Sequence, residues 1–119
     1  MDIVTIRECE DYEADDRAVA KEFLGPRGSA LKNLSIAEIT IPPGVTVKKH
    51  YHLKSEETYH IVAGSGIMHL DGEEAPIQPG EAVAIIPGQW HTIHNPNETN
   101  LVMIVTCAPA WHPEDQVFE

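Results

Sequence analysis

Turn punctuation constrains this chain more than any other feature. From residue 34 onward, strand-like segments recur roughly every 8–12 residues, punctuated by breaker clusters: Pro42-Pro43-Gly44, Gly64-Ser65-Gly66, Asp71-Gly72, Pro79-Gly80, Pro87-Gly88 and Asn95-Pro96-Asn97. Proline removes a backbone donor and glycine tolerates positive φ, so each cluster ends an extended run or turns it back. The segments left between them (34–41, 45–52, 57–63, 67–70, 82–86, 90–94 and 101–106) are short and rich in β-branched and apolar residues. None carries a ten-residue helical period. Many short strands with Gly/Pro turns indicate an all-β sandwich or closed barrel.

At 119 residues the chain has the size of one domain, long enough to bury a core without disulfide or metal staples. Residues 1–33 read as an irregular lead-in, 34–107 as the barrel and 108–119 as a tail. Within the lead-in, Ile3-Val4-Thr5-Ile6 is expected to form a first strand. The acidic stretch after it is expected to be a solvated loop or short surface helix, closed by Gly25-Pro26-Arg27-Gly28.

Charge narrows the partners. Eight basic against nineteen acidic side chains give a net charge of −11, and eight of the acids lie in the first 22 residues. Nucleic acid and anionic membranes, which demand clustered Lys and Arg, are excluded as expected partners. The apolar run at 82–87 is far short of the roughly 20 residues that span a bilayer. Asp2 stands where a signal peptide carries a basic residue, so the expected compartment is the cytoplasm. There Cys9 and Cys107, distant in sequence and outside any CxxC, read as free thiols, with Cys107 packed in a strand.

Seven histidines are many for this length, and three of them are arranged. In the alternating run 45–52, Val45, Val47, Lys49 and Tyr51 are expected on one face and Thr46, Lys48, His50 and His52 on the other. His50 and His52 then project from the same face about 6.6 Å apart, close enough to converge on one ion. Glu57 starts the next strand and reaches the same face if that strand pairs with the first. His91 follows the Pro87-Gly88 turn, which aims its side chain. Three imidazoles and a carboxylate suit one divalent transition metal (Mn, Fe, Zn, Ni, Co or Cu), with coordination positions left open. Taken alone, the H-x-H pair is more often the pattern of two partly exposed surface histidines. Because imidazole ligates only when neutral, affinity is expected to fall below about pH 6.

The wider frame is more specific. The spacing Gly44-x5-His50-x-His52-x4-Glu57-x6-Gly64, followed by Gly80-x7-Gly88-x2-His91-x3-Asn95, resembles the two sequence motifs of the cupin superfamily. The resemblance covers roughly residues 34–107. One departure is visible: the second motif's proline falls on Ile86, with Pro87 directly after it. The resemblance implies a double-stranded β-helix (jelly-roll) barrel with His50, His52, Glu57 and His91 as metal ligands. It also implies a homodimer joined by strand edges, for which the expected 3–6 strand offers the edge. It further implies a metal-dependent enzyme of dioxygenase or sugar (sugar-phosphate) isomerase type, or else a non-catalytic small-molecule binding or sensing module.

Among other residues, Tyr59 shares the phase of Glu57 and is the candidate polar group beside the metal. Asn95 reads as a turn-former before Pro96. His60, His69 and His94 read as exterior or packed, His112 as a tail residue, and Trp90 as packed outside the barrel. Lys48, Lys49 and Lys54 bracket the histidine pair, while Arg27 and Lys32 are further candidates for positive charge at the mouth. A +2 ion with one carboxylate ligand keeps net positive charge in an apolar barrel. The expected ligand is therefore a small molecule that is anionic or offers vicinal oxygens.

Overall fold

In the computed structural model, which describes Met1–Glu119, the chain forms eleven strands in two antiparallel sheets and no α-helix. The strands are β1 (Tyr12–Glu13), β2 (Val19–Leu24), β3 (Ser35–Ile41), β4 (His50–His52), β5 (Glu56–Ala63), β6 (Gly66–Leu70), β7 (Glu73–Ile77), β8 (Ala82–Ile85), β9 (His91–His94), β10 (Leu101–Ala108) and β11 (Gln116–Phe118). One sheet runs β1-β2-β3-β10-β5-β8, the other β11-β4-β9-β6-β7. Consecutive strands repeatedly change sheet, so the two layers wrap one core as a double-stranded β-helix. No helix is long and apolar enough to cross a membrane.

Period-two burial makes this core. Along β10 the inward residues are Leu101, Met103, Val105 and Cys107; along β5 they are Glu57, Tyr59 and Ile61. The two strands pair antiparallel, with Met103 opposite Ile61, Val105 opposite Tyr59 and Cys107 opposite Glu57. The interior therefore grades from aliphatic at one end, where Ile41, Ile61, Ile93 and Leu101 are fully buried, to polar at the other. The alternation that packs one end thus also delivers Glu57 and Cys107 to the opposite end.

Four expectations are corrected here. Residues 3–6 form no strand; a short 3₁₀ turn at Ile6–Glu8 stands there, with Ile3 exposed and no ladder partner. The acidic stretch itself folds into a hairpin, β1–β2, whose second strand extends the sheet along β3. The run 45–52 is not one alternating strand. Val45 is buried together with His50 and His52, so the phase slips at the exposed pair Lys48-Lys49. Asp16 Oδ2 accepts the Lys48 N–H (2.8 Å), filling the place of a ladder bond at that slip. Finally, Gly64-Ser65-Gly66, whose place between the runs 57–63 and 67–70 reads as a hairpin turn, is a crossing between sheets, since β6 pairs with β7 and β9 rather than with β5.

The crossing explains both glycines. Gly64 has φ +73°, and a Cβ there would lie 2.4 Å from the Asn100 carbonyl oxygen; at Gly66 it would lie 2.8 Å from Leu101 Cδ2. At Gly64 backbone passes backbone too closely for any side chain, whereas Gly66 is hemmed in by the Leu101 side chain and then by the His94 carbonyl oxygen at 3.0 Å. Asp71-Gly72 turns as its sequence indicates, both residues at positive φ, as a two-residue hairpin between β6 and β7.

Candidate metal centre and its cavity

His50, His52, Glu57 and His91 meet in the polar end of the interior. All four are buried, and their ligating atoms lie within 4.8 Å of one another. β4 and β9 are neighbours with His50 directly opposite His91, so one sheet contributes the three imidazoles. Ring centroids of His50 and His91 are 4.3 Å apart, and those of His50 and His52 are 5.2 Å apart. Glu57 comes from the other sheet: β5 pairs with β10 and β8, not with β4, which corrects the expected pairing. The carboxylate arrives across the sandwich.

The hydrogen bonds aim these groups inward. His50 Nδ1 lies 2.7 Å from the Lys48 carbonyl oxygen and His91 Nδ1 lies 2.9 Å from that of Gln89. Each Nδ1–H donates to the backbone two residues earlier, which leaves Nε2 as the bare nitrogen. Glu57 Oε1 faces His91 Nε2 at 3.1 Å and His52 Nε2 at 3.3 Å. Its Oε2 accepts from the Cys107 thiol at 3.1 Å. Cys107 therefore leaves Glu57 a single oxygen to present. The sequence signal for this contact was the inward phase of Cys107; its pairing with Glu57 required knowing which strands are neighbours.

The donor set fits a divalent transition metal. Both ring nitrogens of His52 are buried without a well-formed hydrogen bond, a costly arrangement unless something else accepts from or binds them. Donors on opposite sides of an ion stand about 4.2 Å apart at typical ligand distances, close to the span seen here. Local electrostatics agree. Burial, then the neighbouring His91, pulls the His50 pKa down to about 4. Burial alone would raise Glu57, but His52 and His91 outweigh it and hold the carboxyl at about 2. Burial likewise works to lower His52, yet Glu57 and Asp115 together raise it above the ordinary imidazole value. The Cys107 thiol and the Tyr59 phenol are both pushed up, chiefly by burial and then by Glu57, and stay protonated.

A cavity of about 1000 Å³ opens onto the cluster, and His50, Glu57, Tyr59 and Cys107 form part of its lining. Its walls include Ala20, Ile39, Val47, Met103, Val105 and Trp111. Tyr59 is buried, its ring centroid 5.8 Å from that of His91. The charge around the mouth differs from expectation. Of the bracketing lysines only Lys48 lines the cavity, with Nζ 4.8 Å from the Phe118 ring centroid. Lys49 pairs with Glu119 (2.9 Å) outside the cavity, and Lys54 and Lys32 are exposed away from it. Arg27 lines the cavity but bonds Glu22 (3.2 Å). Glu10, Asp11, Asp15 and Asp16 of the N-terminal segment also line it, so the rim is acidic rather than depleted of negative charge.

The remaining histidines lie elsewhere. His60 is exposed on the outer face of β5, and His69 sits near Glu74 at 3.7 Å on the outer face of β6. His94 turns outward and bonds Thr46 Oγ1 (2.7 Å), and exposed His112 accepts the Glu114 N–H (3.1 Å). Trp90 packs against Tyr51, ring to edge at 4.6 Å, away from the cluster. Asn95 does more than turn the chain. Fully buried, it donates to the carbonyls of Ile41 and Thr99 and accepts from Asn97 N–H, clasping two loops. Sequence reasoning missed Asp115, whose Oδ2 lies 3.6 Å from His52 Nδ1; no local signal connects residues so far apart in the chain.

Known proteins agree with this architecture. Residues 37–107 match the model of the cupin domain. An uncharacterised protein of Methanocaldococcus jannaschii is 32% identical over 104 residues, covering 87% of this chain and 83% of that one. An oxalate-binding protein of Thermotoga maritima is 35% identical over 65 residues, 55% of this chain and 54% of the relative. Among solved structures, Streptomyces PAC13 with uridine superposes with a TM-score of 0.81 at 18% identity, over 98% of this chain and 89% of that one. With the family model spanning more than half its length and the fold matching throughout, the chain belongs to the cupin family.

Proposed function

We propose that this protein binds one divalent transition metal through His50, His52, Glu57 and His91 and acts there on a small oxygen-rich molecule. The observation that carries the reading is the buried three-histidine, one-carboxylate cluster at the inner end of an open cavity. When bound, an ion of this class would supply open positions for a bidentate substrate or O₂ in dioxygenase chemistry, or Lewis acidity to a sugar oxygen in isomerase chemistry. The chain's own residues do the rest. Glu57 offers one oxygen while Cys107 holds the other. Tyr59, kept neutral, offers a phenol beside the cluster, and apolar side chains such as Val47, Met103 and Val105 form part of the cavity wall. The acidic rim weighs against a highly charged anion, so of the two ligand classes expected from sequence we favour one with vicinal oxygens. We place the protein in the cytoplasm as a homodimer.

A non-catalytic binding module is the second reading, supported by the similarity to an oxalate-binding protein. Metal analysis of untagged protein, followed by oxygen-uptake and sugar-isomerisation assays on the reconstituted form, separates the two. Turnover in either assay supports the enzyme; retained ligand without turnover supports the module. His91→Ala is expected to abolish stoichiometric metal after dialysis against chelator. Full retention by that variant overturns the ligand assignment.

A further inference from the structure

We propose that Asp115 is the positioning residue of His52, and that through it the C-terminal segment 112–119 and metal occupancy of the cluster stabilise one another. The inference rests on reading the cluster as a metal centre.

The three imidazoles are not held alike. His50 and His91 each find a backbone carbonyl two residues earlier for Nδ1, so their own strands fix their tautomer and ring plane. His52 has no such partner. Its Nδ1 is buried without a hydrogen bond, and a carboxylate oxygen faces it at 3.6 Å, Oδ2 of Asp115. A shift of about half an ångström brings that pair within hydrogen-bonding range. A ligating imidazole needs its second nitrogen protonated and held, and a carboxylate is a common group for that purpose.

Asp115 is itself locked to the loop that follows His52. Its Oδ1 accepts the Lys54 N–H (2.8 Å), its Oδ2 accepts the Ser55 N–H (3.1 Å), and its carbonyl accepts the Leu53 N–H (2.9 Å). It ends the 3₁₀ turn Pro113–Asp115, and the residues after it pair with the histidine strand, Gln116 opposite His52 and Phe118 opposite His50. The far end is fastened by the Glu119 N–H to the Lys49 carbonyl and by the Glu119–Lys49 ion pair. One short segment thus closes the outer edge of β4 and supplies the only carboxylate near His52 Nδ1. Coupling is reciprocal: whatever affinity Asp115 adds to the ion, the ion returns as tighter docking of the segment.

The test uses Zn²⁺ as probe on the full chain. Zinc affinity is measured by competition with a chelator for the wild type, Asp115→Asn and Glu119→Gln. The first variant removes the charge facing His52. The second removes only an exposed ion pair at the far end of the segment and leaves Asp115 and its docking hydrogen bonds in place. Asp115→Asn is expected to weaken zinc 10–100-fold, the usual range for partners of ligating histidines, and Glu119→Gln to leave it unchanged. In the zinc-loaded wild type, long-range ¹H–¹⁵N spectra are expected to show His52 protonated at Nδ1, with that signal shifted or broadened in Asp115→Asn. A merely structural role would not move it. In the wild type, zinc is expected to slow amide exchange at Ser55 and Val117, a readout that needs no variant. Unchanged affinity in a folded Asp115→Asn, or exchange at those amides indifferent to zinc, overturns the inference. A wild type that takes up no zinc overturns the metal reading, and this inference falls with it.

Discussion

At the scale of single residues, the cluster works by division of labour between the two oxygens of Glu57. Oε1 faces two imidazoles, while Oε2 takes the Cys107 thiol. Removing the thiol leaves a buried carboxylate oxygen without a donor, which costs about 1–3 kcal/mol. Cys107→Ala is therefore expected to lower stability by that amount in urea titrations, whereas Cys107→Ser, which keeps a donor, should recover most of it. Protonation gives a second handle. His50, held at about 4, and Glu57, at about 2, already stand in their ligating forms at pH 6.5. His52, raised above the ordinary imidazole value by Glu57 and Asp115 against its burial, holds its proton more firmly, and an incoming ion must displace it. Metal uptake near neutral pH is expected to release a proton, and affinity to climb as pH rises. Calorimetry in buffers of differing ionisation enthalpy counts that proton; uptake with no release contradicts the scheme.

At the scale of elements, the decisive unit is the crossing from β5 to β6. It carries the chain from the sheet that bears Glu57 to the sheet that bears the histidines, so its geometry sets how the two halves of the cluster face each other. Gly64 makes it possible at positive φ and in contact with the Asn100 backbone. Gly64→Ala combines left-handed strain of about 1–2 kcal/mol with a backbone clash that no side-chain rotation relieves. Its urea midpoint is expected to fall by the equivalent of more than about 2 kcal/mol. Gly72→Ala, at positive φ but in open space, should show only the strain component. Equal losses in the two variants would remove the close-approach argument.

At the scale of the whole molecule, the open question is what covers the free edges. The N-terminal residues expected to supply a dimerising strand do not form one. One free edge of the six-stranded sheet is β8, where Ala82, Ala84 and the following Ile86 are exposed. An uncharged free edge of this kind is a template for pairing with a second copy. Light scattering is expected to give twice the 13.2 kDa chain mass at micromolar concentration, and Ile86→Lys to shift the species toward monomer. A single-chain mass for the unmodified protein rules out the homodimer.

What was legible from sequence is what depends on neighbours along the chain. Strand periodicity marked the shared inward phase of Glu57, Tyr59 and Ile61, Cys107 read only as packed in a strand, and breaker clusters marked where strands stop. The spacing of His50, His52, Glu57 and His91 between glycines identified the cluster and the family. What depends on which strands lie side by side was decided only by the tertiary structure. Glu57 reaches the histidines from the opposite sheet, the N-terminal acids gather at the cavity rim, and Asp115 returns beside His52 from the far end of the chain. The physical reason is the reach of each interaction. Side-chain alternation and turn chemistry act over two to four residues and leave a local signature. Sheet pairing closes loops of fifty residues or more through backbone hydrogen bonds that every residue type can make, and so writes almost nothing into the residues it joins.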